Sequence, residues 1–168
     1  MSEEIYSFHQ DPWDEKGITF VLTGISYCDP NYKITRINSD VSVFEYIIDG
    51  EGTIEINGRV FHPKKGDTYL LPQGSNHCYY PDPKNPWTKI WINMSGQLLS
   101  TILSTYNLDE IYLFHNLYTK DLLDEIVNNA KNHVPHMFIS SGKALYEIIY
   151  RMRDYTLNLE TITDSNAS

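Results

Sequence analysis

Asp40, Glu45 and His77 carry the oxygen and nitrogen donors that a metal-assisted reaction would use, and His77 with Tyr79 offers a base and an acid for proton transfer. Two carboxylates with one imidazole make a weak metal site, because imidazole nitrogens supply most of the affinity and geometry for a transition metal in such a setting. The other histidines (His9, His62, His115, His133 and His136) show no ligand spacing. Metal oxygenase and metal isomerase chemistry is therefore disfavoured, and no cofactor is expected. Proton transfer needs both groups on one cavity. His77 and Tyr79 are close neighbours along one segment and are expected to point to opposite faces. A lone His77 reads better as an inward, hydrogen-bonded histidine.

The elements around these residues are legible. Gly66–His77 reads GDTYLLPQGSNH: a glycine, five residues, P-x-G, two residues and a histidine. Gly66-Asp67 makes a turn where glycine takes positive φ without steric cost. Thr68-Tyr69-Leu70-Leu71 suits a strand packed on both sides, Pro72 ends it, and His77 starts the next. This pattern resembles the second sequence motif of the cupin jelly rolls, barrels that hold small molecules or metals. The first cupin motif is half present: six residues separate Glu45 from Gly52, but Asn38-Ser39-Asp40-Val41 occupies the place of the two histidines.

Length and charge bound the rest. The 168 residues suffice for one domain with an appendage. Thirteen basic against twenty-two acidic residues give a net charge of −9, so the chain lacks the Lys/Arg footprint that neutralises phosphates, and it should not bind DNA by itself. No apolar run has membrane-spanning length and no secretory leader is visible, so a cytoplasmic protein is expected, without membrane contact. Cys28 and Cys78 have no C-x-x-C spacing and read as two reduced thiols.

Residues 1–17 read as a loosely held N-terminal arm. Residues 18–96 read as the barrel, with strands at 18–27, 32–37, 43–48, 53–56, 59–62, 68–71, 77–80 and 88–93. Asn57-Gly58 between two alternating runs is a strong hairpin signal. Residues 111–114 add a short strand. Residues 97–160 are helical: 97–106, then 119–132 with Thr119 as N-cap, then a helix capped by Ser140 or Ser141. The last carries Leu145, Ile148, Ile149, Met152, Tyr155 and Leu159 on one stripe. These stripes either pack on the barrel or meet a second subunit. Residues 161–168 look like the start of a linker. The fold class is mainly β with C-terminal α: a cupin-like jelly-roll β-barrel followed by an antiparallel helix pair.

From Ile34 to Gly96 the chain resembles the ligand-sensing domain of AraC-type transcription regulators. The resemblance rests on Arg36 before the first long strand, the Y-I-I-x-G-x-G turn, GDTYLLP, the H-x-Y-Y pair and W-x-K-I-W-x-N. It implies a barrel, two helices, a linker and a helix-turn-helix half that lies outside this chain. It also implies a small-molecule effector, a saccharide above all, a homodimer through the C-terminal helices, and DNA contact only through that other half. By the same resemblance Arg36 holds sugar hydroxyls, Tyr79 lines the pocket and Trp91 stacks on a sugar ring. A rigid guanidinium fork and an indole face suit those two tasks. Lys89 replaces a histidine of the arabinose-responsive member, which puts arabinose itself in doubt. His77 and Glu45 are expected near the same cavity, and Thr23 is a further candidate. Trp87 and Trp91, four apart, are expected to share a face. Two rival functions remain: a metal-independent sugar epimerase using His77 and Tyr79, and an empty-barrel dimerisation module.

Overall fold

The computed structural model describes residues 1–8 and 16–166. Ten strands and three helices run in the order β1 (Ser2–Ser7), β2 (Thr19–Tyr27), β3 (Ile34–Arg36), β4 (Ser42–Asp49), β5 (Gly52–Ile56), β6 (Arg59–Phe61), β7 (Thr68–Leu71), β8 (His77–Pro81), β9 (Thr88–Ser95), α1 (Gln97–Thr105), β10 (Leu113–Phe114), α2 (Lys120–Asn132) and α3 (Met137–Asn166). They form a six-stranded sheet, β1-β2-β9-β4-β7-β10, and a four-stranded sheet, β3-β8-β5-β6. Without the edge strands β1 and β10, four strands face four, and the chain passes back and forth between them. That is the strand order of a jelly roll. The fold is mainly β with C-terminal helices, as the sequence implied.

Local chemistry accounts for the corners. Asn57 and Gly58 have φ of 46° and 80°, the double positive φ that a tight β5–β6 hairpin requires. Gly66 sits at φ 93°, and the carboxylate of Asp67 beside it accepts from the amides of Lys64 and Asn116. All four residues of β7 are buried, because one face meets the barrel interior and the other meets the helices.

Alternation sorts the larger sheet into two faces. Phe44, Tyr46, Leu70, Ile90, Ile92 and Met94 point outward and join α2 and α3 in one apolar cluster. Val43, Ile47, Tyr69, Leu71 and Trp87 face the barrel interior. The helix stripe of Leu145, Ile148, Ile149 and Met152 packs against this chain's own sheet, with Leu122, Leu123, Ile126 and Val127 of α2. Most of the stripe that could have met a second subunit is therefore covered by the chain itself, while Leu159 at its far end stays exposed.

Four local expectations differ from the structure. Ser2–Ser7 is not loose: it pairs with β2 over six residues, from Ser2↔Tyr27 to Ser7↔Leu22. The rest of the expected arm, residues 9–15, lies outside the described residues. Thr119 makes no cap bond with its side chain; its hydroxyl pairs with that of Thr68 at 2.9 Å. Ser140 and Ser141 lie inside α3, which starts at Met137, and they bond to Glu125 and Asn129 of α2 instead. α3 also continues through the expected linker start as far as Asn166.

Candidate functional site

Five inward side chains meet at one end of the barrel. Arg36 comes from β3, Glu45 from β4, Tyr79 from β8, and Trp91 and Asn93 from β9; each sits on the inner phase of its strand. Glu3 and Ile5 of β1 complete the wall, because the β1–β2 register sets them opposite Ser26 and Gly24. The recess they enclose has a volume of about 180 Å³.

Its electrostatics begin with a buried ion pair. Lys89 Nζ lies 2.7 Å from Glu45 Oε2, and both side chains are almost wholly buried. The ammonium also donates to the Tyr69 hydroxyl at 3.3 Å, and that hydroxyl donates to Glu45. Three aromatic faces surround the same ammonium: Tyr79 at 4.0 Å, Tyr32 at 5.0 Å and Trp87 at 5.3 Å from the ring centroids. A desolvated cation gains from such faces. Burial, and then the Glu45 carboxylate, push the phenols of Tyr69 and Tyr79 well above their ordinary range, so both remain protonated donors.

Arg36 contrasts with Lys89. Its Nη1 is buried and has no hydrogen-bond partner. Asn93, 8% exposed, makes no side-chain hydrogen bond among the described residues. A buried polar group without a partner costs about 1–3 kcal/mol, so Arg36 Nη1 is poised to bind something polar, with the unbonded Asn93 amide beside it in the same recess.

Trp91 is held by a relay. Its Nε1 donates to Ser26 Oγ at 2.8 Å, and Ser26 Oγ donates to Glu3 Oε1 at 2.7 Å. The indole therefore touches the β1 strand through one hydroxyl. Gly24 makes the approach possible: a Cβ there would lie 3.0 Å from Trp91 Cζ2 and 2.0 Å from the Glu4 carbonyl oxygen.

His77 pairs across strands with Arg36 but opens onto a different surface groove from the recess. The Ser75 hydroxyl gives its one proton to the Pro72 carbonyl at 2.6 Å, so the contact between Ser75 Oγ and His77 Nδ1 at 2.9 Å assigns the ring proton to Nδ1. Nε2 is then a bare acceptor, buried and without a partner. Burial, and next the Arg36 and Lys89 charges, lower the imidazole pKa to about 4, which keeps the ring neutral.

The structure thus brings Arg36, Glu45, Tyr79 and Trp91 together and leaves the other three candidates outside. Lys89 stands behind the wall, where its charge is committed to Glu45; it positions that carboxylate rather than offering a ligand its own donor. His77 is on the far side of Arg36. Thr23 is on the other face of the sheet: it pairs with Ile92, which belongs to the helix-facing core, and its hydroxyl donates to the Trp91 carbonyl at 2.6 Å. His77 and Tyr79 share the inner face, contrary to expectation, with ring centroids 5.9 Å apart. Residues two apart complete one pleat and must do so. They nevertheless line separate openings. Trp87 precedes β9 and is sealed into the core, while Trp91 reaches the recess. Asp40, Glu45 and His77 do not converge, and no group of three metal-ligating side chains suited to an ion occurs among the described residues. Cys28 and Cys78 are both free.

Sequence reasoning missed Asn93, Tyr32, Glu3 and Ile5. Asn93 was within reach, since it stands two residues after Trp91 and must share its face. Glu3 and Ile5 gave only a short alternation within SEEIYS.

A barrel whose inner face gathers a guanidinium, a carboxylate, an indole and an unpaired amide is a small-molecule binding domain. The model of the AraC-like ligand binding domain matches residues 19–149, and the chain belongs to that family. It is similar to the lactose operon transcription activator of Staphylococcus xylosus, at 27% identity over 83% of this chain and 50% of that protein. It is also similar to the Msm operon regulatory protein of Streptococcus mutans, at 29% identity over 62% of this chain and 37% of that protein. The raffinose operon transcriptional regulatory protein RafR of Pediococcus pentosaceus matches at 28% identity over 76% of this chain and 48% of that protein. The chain thus spans half or less of the length of these curated relatives. Among solved structures, it is similar to the cupin domain of Schizosaccharomyces pombe Cnp3, with a TM-score of 0.45 at 12% identity, covering 65% of this chain and 74% of that one.

Proposed function

We propose that the chain is the effector-binding and dimerisation part of a cytoplasmic transcription regulator, that its effector is a saccharide held in the recess, and that DNA contact belongs to a further part of the regulator. The observation that carries this reading is the convergence of the Trp91 face, the unpaired Arg36 Nη1 and the fixed Glu45 carboxylate in one recess. An indole stacks on the C–H face of a sugar ring, and the two charged groups offer a donor and an acceptor to its hydroxyls. The relatives named for lactose and raffinose operons agree with it.

The signal would travel through β1. A ligand against Trp91 touches Glu3 and Ile5 directly and reaches Glu3 again through Ser26. Regulation requires that the sugar bind the docked and undocked states of β1 with different affinity; tight binding alone shifts nothing. The dimer contact is the outer stripe of α3, where Ile139, Tyr146, Tyr150 and Leu157 are exposed at spacings of three and four residues or their sums.

A thermal-shift screen against pentoses, hexoses and disaccharides tests the sensor reading. A saturable rise in Tm with at least one neutral sugar, lost in Arg36→Ala and in Trp91→Ala, is the expected result. A rise with sugar phosphates only, or a rise that both variants keep, rejects it. Sedimentation should show a dimer that Tyr150→Asp turns into a monomer.

A further inference from the structure

The recess is small for the saccharides after whose operons two of its relatives are named. Small-molecule sites for drug-sized compounds run to roughly 300–1,000 Å³, whereas this one measures about 180 Å³, the scale of a single sugar ring. It does not end there. Arg36, Leu22 and Asn93 also line a second hollow of about 390 Å³, which runs over the loop between β3 and β4. The two hollows are therefore neighbours that share three wall residues. Two of these, Arg36 and Asn93, carry the polar groups left without partners.

The wall of this second hollow is pre-built. Asn38 N donates to Asn76 Oδ1, Ser39 N to the Ser75 carbonyl, and Gly74 N to the Ser39 carbonyl, all at 3.0 Å or less. The loop backbone is thereby spent on its own support, as is the Ser39 hydroxyl, which donates to the Val41 carbonyl, while the side chains of Ile37 and Asp40 are left over. Ile37 is 81% exposed, and the Asp40 carboxylate has no hydrogen bond or ion pair among the described residues. An apolar surface beside a free carboxylate and an amide matches a ring that offers one C–H face and a rim of hydroxyls. On the β2 side, a bulge between Phe20 and Leu22 breaks the register and turns Leu22 opposite Asn93, the kind of irregularity that re-aims side chains at binding sites.

Charge narrows the occupant further. Across both spaces Arg36 stands against Glu3, Asp40 and Glu45, of which Glu45 is already paired with Lys89 behind the wall. An anionic sugar would meet a surplus of carboxylates, whereas a neutral one meets none of that repulsion.

We infer that the site has two subsites and takes a neutral oligosaccharide. One ring sits in the recess against Trp91, the next lies over Ile37 and Asp40, and Arg36 and Asn93 hold the junction between them. This rests on the saccharide reading above. It adds a second contact surface that the recess residues do not supply.

Calorimetric titration of the 168-residue chain with galactose, lactose, melibiose, raffinose, glucose, maltose and sucrose separates the two claims. At least one of the oligosaccharides should bind ten-fold or more tighter than its own constituent monosaccharide. Asp40→Ala and Ile37→Ser should each bring that oligosaccharide down towards the monosaccharide level while leaving monosaccharide binding within two-fold. Equal affinities for single and linked sugars would overturn the second subsite and leave the sensor reading standing. So would an oligosaccharide advantage that survives both loop variants. Binding of none of the seven sugars would overturn the sensor reading and the inference together.

Discussion

The two faces of the larger sheet are built from the same strands and differ in almost everything else. The even positions of β4, β7 and β9 (Phe44, Tyr46, Leu70, Ile90, Ile92 and Met94) meet the helices in a cluster of apolar side chains. On the barrel side the odd positions include apolar Val43, Ile47 and Leu71, but also Glu45, Tyr69, Lys89, Trp91 and Asn93, which carry a charge, a hydroxyl, an indole or an amide. Stability and binding are thus separated by one step of the pleat. The helix-facing layer anchors the fold chiefly by burial, at about 25 cal/mol per Å², with a few hydroxyl and amide bonds such as Thr68–Thr119 at its margin. That leaves the inner face to keep polar groups that a plain core would not tolerate.

The Lys89–Glu45 pair is the place to break this division. Lys89→Met gives the inner face an apolar side chain like its neighbours outside, yet it strands a buried carboxylate. The expected cost is about 3–5 kcal/mol of unfolding free energy, read by chemical denaturation. Adding Glu45→Gln should recover most of it, because the stranded charge is gone. A single variant as stable as the wild type would show that the pair contributes nothing to the barrel.

The alternation that separates the faces is also why so much was legible. GDTYLLP, the Asn57-Gly58 turn and the period-two runs located every barrel strand to within a residue or two, since turn chemistry and pleat parity act locally. The family resemblance, and not parity, pointed Tyr79 and Trp91 inward; the parity reading set Tyr79 opposite His77, whereas residues two apart share a face. Local reading also failed where a third element decides. Nothing local in Lys89 says that Glu45 and three rings consume its charge, and only the β2–β9 register turns Thr23 to the helix side. Ser2–Ser7 is polar and edge-bound, so its strand exists by pairing with β2 and not by its own pattern.

His77 sharpens the comparison, because the helix-facing cluster contains no titrating imidazole. Its pKa falls from 6.5 to about 4 on folding, so the unfolded chain binds the proton more readily between those values. The contribution is whole above pH 6.5 and is lost as pH falls toward 4, by roughly 3 kcal/mol at most. Denaturation curves from pH 7 to pH 4 should show a steeper loss of stability for the wild type than for His77→Gln. Parallel curves would mean that the ring is solvated in the folded protein.

The smallest expected effect tests the seam between the inner face and the arm. Gly24 lies where β1, β2 and the Trp91 indole crowd together, and a methyl group there would stand 2.0 Å from the Glu4 carbonyl oxygen. Gly24→Ala must therefore push β1 outward or shift the indole, at about 1–3 kcal/mol. Because the nearest atoms belong to Glu4 of β1 and the Trp91 ring, the strain should stay local: the amides of β1 lose hydrogen-exchange protection while those of β4 and β9 keep theirs. Moving β1 also pulls Glu3 from Ser26, whose hydroxyl then loses the partner that fixes it under the indole nitrogen, so saccharide affinity should fall along with β1 protection. If β1 loosened and affinity held, the strand would be a cover for the recess and no part of its signal.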